Sequence, residues 1–103
     1  MALHGPLPVR FATLTGKRLD TPESEGLLVR LSMTEAEVES RDRPEAFRNI
    51  RLRFVGRDGS EIAGELYGKV SAPKHTTKGF GLTFTSVPHE IRSFLEAILA
   101  GSR

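Results

Sequence analysis

The sequence predicts an all-β fold: six short antiparallel strands closed into a barrel, with one C-terminal helix. Three observations carry this. Short runs along the chain alternate apolar and polar side chains, the period of a half-buried strand. Turn residues punctuate those runs, among them Asp58 and Gly59, the pair that marks a tight hairpin. Residues 88–100 set Ile91, Phe94, Leu95, Ile98 and Leu99 on one helical stripe. Short strands in an open sheet leave unpaired edges, and closure removes them. The helix stripe then has a barrel opening or an outer apolar groove to cover.

Taken in order, residues 1–7 carry Gly5 and Pro6 and read as a loose N-terminal segment. Residues 9–14 form the first strand, ended by Thr15 and Gly16, and residues 17–25 are a polar loop. The second strand covers 26–33, with Leu27, Val29, Leu31 and Met33 on one face and Leu28, Arg30 and Ser32 on the other. Residues 34–40 fit two patterns. Thr34 with Glu37 makes a helix capping box, while Ala36, Val38 and Ser40 alternate as a strand would. Residues 41–45 are a turn. Residues 47–55 are a strand, with Ile50, Leu52 and Phe54 inward and Arg51 and Arg53 outward. After the hairpin at 57–60, a strand over 61–71 points Leu66, Gly68 and Val70 one way and Glu65, Tyr67 and Lys69 the other. Residues 73–78 are a polar hairpin tip, read as mobile, and Phe80, Leu82 and Phe84 give the last strand its inner face. Pro88 suits the first turn of the helix, Glu90 sits near its positive end, and Gly101 is placed to end it in a left-handed conformation.

The chain has 103 residues, the size of a single domain with one modest core. It has no cysteine, which excludes disulfides, thiolate metal sites and a cysteine nucleophile. Neither a membrane-spanning apolar run nor the charged start and apolar middle of a signal peptide is present, so the reading is a cytoplasmic protein. The net charge of +2 and a pI near 9.4 are mildly basic, short of the balance of a dedicated nucleic-acid binder.

The ordered set of elements resembles the PilZ domain, a small antiparallel barrel with a C-terminal helix. The pieces that carry the resemblance are residues 25–32 (EGLLVRLS), 50–54 (IRLRF), 64–70 (GELYGKV), the loop into 79–84 (GFGLTF), and the helix with Phe94 and Leu95. Together they span about residues 8–100, and they favour a strand over 36–40. PilZ domains typically bind the bacterial second messenger cyclic di-GMP. They use Arg-x-x-x-Arg just before the first strand and Asp/Asn-x-Ser-x-x-Gly at the end of the second. Arginine forks grip phosphates and stack on guanine, and the short polar residues and glycine let a base edge approach the backbone.

This chain departs from both motifs. Arg30 stands at the Asp/Asn position, Ser32 at the serine and Glu35 at the glycine. No arginine precedes Val9; Arg10 falls inside the first strand and Arg18 beyond it. Two lost charge-assisted grips cost roughly 1.5–3 kcal/mol each, against about 8 kcal/mol for micromolar binding. The resemblance therefore implies a degenerate member without a cofactor. Family members that lack the nucleotide motifs are known as protein-interaction modules in type IV pilus assembly and surface motility. If cyclic di-GMP binds at all, Arg10, Arg18, Arg30 and Ser32 are the grip.

The remaining constellations are weaker. His4, His75 and His89 lack metal-ligand spacing, and Ser32 has no recognisable base. Glu35, Glu37 and Glu39 read as a solvated face rather than an acid/base pair, so no enzyme is expected. Arg41, Arg43, Arg48, Arg51 and Arg53 are the densest basic cluster, with Tyr67 the one outward-facing aromatic. The expected partner-binding residues are Arg51, Arg53, Tyr67, Lys74 and Lys78, on a monomer or weak homodimer that meets a protein and not a membrane. A barrel that binds single-stranded nucleic acid is a further alternative, disfavoured because stacking needs exposed aromatics among the basic residues.

Overall fold

A computed structural model describes residues 1–16, 18–19, 23–56 and 59–101, without the side chains of His4 and Ala63. It is a closed six-stranded antiparallel barrel with a C-terminal helix. The strands are β1 (Ala2–Thr15), β2 (Arg18–Leu19), β3 (Ser24–Leu31), β4 (Glu35–Glu39), β5 (Asn49–Val55), β6 (Glu61–Ser71) and β7 (Gly79–Ser86); the helix is α1 (His89–Gly101). The order β1-β3-β4-β7-β6-β5 closes because β1 also pairs with β5, and the two-residue β2 sits beside β1. Every strand pair is antiparallel.

β1 is the seam of the barrel. It pairs with β3 from Ala2 to Phe11 and with β5 from Val9 to Leu14. The N-terminal residues are thus not loose: β1 starts at Ala2, and Leu3 is buried. The Gly5 and Pro6 that suggested a loose segment lie where the β1–β3 register shifts, between Ala2 and Leu7. Pro6 and Pro8 also fall before β1 meets β5, where a missing amide interrupts one ladder at most.

The inner face of β3 differs from the simple alternation. Leu28 pairs with Val38 and Arg30 with Glu37, so Val29 is an extra residue on β3. This bulge shifts the phase. Leu28 and Leu31 are both fully buried, whereas Leu27 is exposed. Residues 35–39 form a strand, not a capped helix. The strand expected from 47 begins at Asn49, because Phe47 has φ 67 and cannot continue an extended chain. Of the 57–60 hairpin, Arg57 and Asp58 lie outside the described residues. Its ends are closed by Gly56 N–H donating to Ser60 C=O (2.6 Å) and Gly59 N–H to Gly56 C=O (2.9 Å).

The core runs through the barrel, with Phe11, Leu28, Leu31, Ile50, Leu52, Phe54, Leu66 and Leu82 all fully buried. Phe11 packs edge-on against Phe80, ring centroids 5.0 Å apart. Ile91 and Leu95 of α1 are also fully buried, and Phe94 packs edge-on against Phe54 at 5.0 Å. Gly64 allows the helix to come this close: its φ is 102, and a Cβ there would lie 2.9 Å from the Ile91 side chain. Arg92 N–H donates to Pro88 C=O (2.9 Å), which starts the helix. Gly101 does not break it in a left-handed turn; it is itself helical and is the last described residue.

Candidate functional site

Arg30, Ser32 and Glu35, the residues that the resemblance aligns with a nucleotide motif, fall at the β3–β4 turn. Ser32 makes that turn: its Oγ accepts from Thr34 N–H (3.1 Å) and Glu35 N–H (3.0 Å), and its own N–H donates to Glu35 C=O (2.8 Å). The hydroxyl donates to Glu35 C=O at 3.3 Å. A short hydroxyl side chain does this well, since it mimics a backbone turn partner. Ser32 is therefore engaged by its own turn.

Arg30 and Glu37 face each other across β3 and β4, with Arg30 Nε 3.7 Å from Glu37 Oε2. Glu37 is the one buried charged side chain among the described residues, 7% exposed. The loop between β6 and β7 closes over it. His75 N–H (3.0 Å) and Thr76 N–H (2.7 Å) both donate to Glu37 Oε1, and His75 Nδ1 lies 2.7 Å from Oε2. Burial alone would raise the Glu37 carboxyl. The Thr76 amide, the His75 imidazole and the His75 amide outweigh it and hold the pKa below its ordinary value. Lys74 Nζ donates to Glu35 Oε1 (3.1 Å), and Thr76 Oγ1 to Glu39 Oε2 (3.1 Å). Glu37 is thus not part of a solvated face, while Glu35 and Glu39 stay partly exposed. The loop is pinned chiefly at Glu37, with Thr76 also reaching Glu39, rather than standing as a free hairpin tip.

A cleft of about 100 Å³ remains here, lined among others by Arg30, Ser32, Glu35, Glu37, Lys74 and His75. Ligand pockets for drug-sized molecules begin at about 300 Å³, and this one presents two carboxylates to any phosphate. Arg10 and Arg18 do not join it. Arg10 is exposed on β1 opposite Glu25, and lines a separate hollow with Glu25, Leu27 and Glu39. Arg30, five β3 positions from Glu25, lies roughly 16 Å further along the strand. Arg18 lies on β2, exposed, paired beside Thr15 at the far end of β1.

The second expected surface, Arg51, Arg53 and Tyr67, does come together. Arg51 pairs in register with Tyr67, and Arg53 with Glu65, on the outside of β5 and β6. It is not a free basic patch. Glu23 bridges both arginines: Arg53 Nε donates to its Oε2 (2.6 Å), Arg51 Nη2 to the same oxygen (3.1 Å), and Arg53 Nη2 to Oε1. Arg53 also pairs with Glu61, and Arg51 Nε lies 3.1 Å from Glu65 Oε2, a charge contact without hydrogen-bond geometry. The hydrogen bond from Arg53 draws the Glu23 carboxyl below its usual value, against a smaller opposing effect of burial; the Arg51 guanidinium adds to it. Glu23 in turn raises the pKa of Arg53 further. Tyr67 is half-buried, its hydroxyl 3.4 Å from Glu65 Oε2. Lys74 and Lys78 lie on the loop, away from this face. Lys74 holds Glu35, and the Lys78 side chain forms no ion pair with a described residue.

Three residues escaped the sequence reading. Glu23 was passed over, and Glu37 was read as part of a solvated face, because their partners are remote in sequence. Phe47 was taken as ordinary strand, but it is 82% exposed. Its phase with Arg51 and Arg53 was the available signal that it faces outward. Among the described residues no helix is long and apolar enough to cross a membrane. Comparison with protein-family models, curated proteins and solved structures found no match to the chain.

Proposed function

We propose that this barrel is a non-enzymatic, PilZ-like adaptor that binds a protein partner on its outer surface, without cyclic di-GMP. One observation carries the reading: the β3–β4 site is filled from within the molecule. Ser32 holds its own turn, Arg30 faces the buried Glu37, and the β6–β7 loop lies across both. Cyclic di-GMP would have to displace that loop and meet Glu35 and Glu37, with neither Arg10 nor Arg18 at hand. The process we assign, from the resemblance alone, is signalling, pilus assembly or motility in a bacterium.

The outer face of β5 and β6 supports docking because Glu23 holds both of its arginines in place. Glu61 and Glu65 are the exposed members of the network, their side chains 63% and 40% accessible. A carboxylate of a partner can replace either on Arg53 or Arg51 without unburying Glu23. Lys74 and Lys78 belong to the separate β6–β7 loop, where Lys74 pairs with Glu35. Calorimetric titration with cyclic di-GMP is expected to give no saturable heat up to millimolar ligand. Micromolar binding that is lost in Arg30→Ala would overturn the proposal.

A further inference from the structure

We propose that the outer face of β1 and β3 is a two-fold docking surface for a second copy of this chain. The inference stands apart from the adaptor reading and uses a different face. Four side chains define it, two on each strand. In the β1–β3 ladder Pro8 lies directly opposite Leu27, and Arg10 directly opposite Glu25. Val9, Phe11 and Leu28, which alternate with them, are buried in the barrel, while Arg10 and Glu25 are exposed, Leu27 is 43% exposed and Pro8 is half-buried. The four share the outer face and line one open hollow of about 390 Å³.

The two charges are unengaged, unlike those of the Arg51–Arg53–Glu23 network. Among the described residues, neither the Arg10 guanidinium nor the Glu25 carboxylate has a hydrogen-bond or ion-pair partner. Their charged neighbours are already taken. Arg53, across from Arg10 on β5, is held by Glu23 and Glu61, and Glu39, across from Leu27 on β4, accepts from Thr76.

A cation beside an anion, next to two apolar side chains also side by side, makes a patch that complements itself. A two-fold axis running along the strands, midway between β1 and β3, exchanges the two strands. It sets Arg10 of one copy against Glu25 of the other, twice, and Pro8 against Leu27, also twice. Paired strands are roughly 4.8 Å apart, so these contacts form one compact group around the axis. A partner of a single charge sign would satisfy one of the two charges and repel the other. Single-stranded nucleic acid would meet Glu25 and find no aromatic ring in the lining of the hollow on which to stack. Closure of the barrel curves β4 and β5 away on either side. The contact is therefore small, and the association weak and concentration-dependent.

Sedimentation velocity of the full chain, from micromolar to millimolar concentration, tests this with charge reversals. The wild type is expected to dimerise reversibly over that range. Arg10→Glu places like charges at both ionic contacts, as does Glu25→Arg, and each variant alone should dimerise at least tenfold more weakly. Mixed in equal amounts, the two variants complement each other at both contacts and should form a one-to-one dimer about as tight as that of wild type. The double variant Arg10→Glu/Glu25→Arg, with the charges exchanged, should regain the dimer by itself, and it decides the matter if a single reversal fails to fold. Leu27→Ser should weaken the association while leaving the thermal melt of the chain unchanged. A wild type that stays monomeric to millimolar concentration overturns the inference and leaves this face to another partner. A dimer indifferent to both reversals overturns it too, as do reversed variants that stay apart when mixed or a double variant that stays monomeric.

Discussion

Glu37 shows how one side chain can decide the state of a site. Its carboxylate accepts two backbone amides and a histidine from a loop 38 and 39 residues away. Hydrogen bonds to a charged group are worth about 1.5–3 kcal/mol, so Glu37→Gln should destabilise the barrel by about that much in urea unfolding. Amide exchange at 74–78 should rise with it. The effect has a defined pH dependence. The Glu37 carboxyl is held below its ordinary value near 4.5, so its extra stability is present above that pH and is lost as pH falls through the lower folded-state value. Wild-type and Glu37→Gln stabilities should therefore converge in acid. Curves that stay parallel down to full protonation would remove Glu37 as the source. Phe47 is the opposite case, a residue whose conformation works against stability. The left-handed backbone costs a bulky residue about 1–2 kcal/mol, partly offset by the entropy that glycine loses on folding. Phe47→Gly should be no less stable than wild type, with a gain of up to about 1 kcal/mol; a clear loss of stability would show that the ring packs after all. The role of Glu37 was not legible locally. Glu37 alternates with Ala36 and Val38 as any outward carboxylate does, and only the loop laid over it makes it buried.

At the scale of elements, most strands and the helix stripe were readable, because period-2 and period-3.6 patterns are local; β2 and the start of β3 were not, since they fall within residues 17–25, read as a polar loop. What the patterns could not supply was phase and pairing. Leu27, Leu28 and Val29 are consecutive apolar residues, so either alternation fits, and the bulge at Val29 is chosen by the partner strand. β1 likewise gains its first residues from pairing with β3, not from their own propensity. The placement of α1 was half legible: its stripe needed a cover, but that it closes against β6 depends on Gly64. Gly64→Ala imposes both a disfavoured φ and a clash with Ile91, and should cost about 2–3 kcal/mol. Leu95→Ala, which empties a fully buried position, should cost about 2–5 kcal/mol. Chemical denaturation measures both. A Gly64→Ala protein as stable as wild type would mean that the helix can stand off from β6.

For the whole molecule, closure through β1 and β5 leaves the core filled and directs function to the outside. The outer surface divides into three parts: the self-occupied β3–β4 cleft, the balanced Arg51–Arg53–Glu23 network, and the turn that displays Phe47. The first part is where the resemblance to PilZ domains aligns Arg30 and Glu35 with motif positions that they do not match. The sequence made the second legible as basic residues but not as paired ones, because Glu23 lies 28 and 30 residues from its arginines. The central claim is that the cleft is closed from within. Two-dimensional amide NMR of the full chain, titrated with cyclic di-GMP to millimolar concentration, tests it most directly. The amides of residues 30–37 and 74–78 are expected to stay in place; saturable shifts confined to those residues and abolished by Arg30→Ala would contradict it.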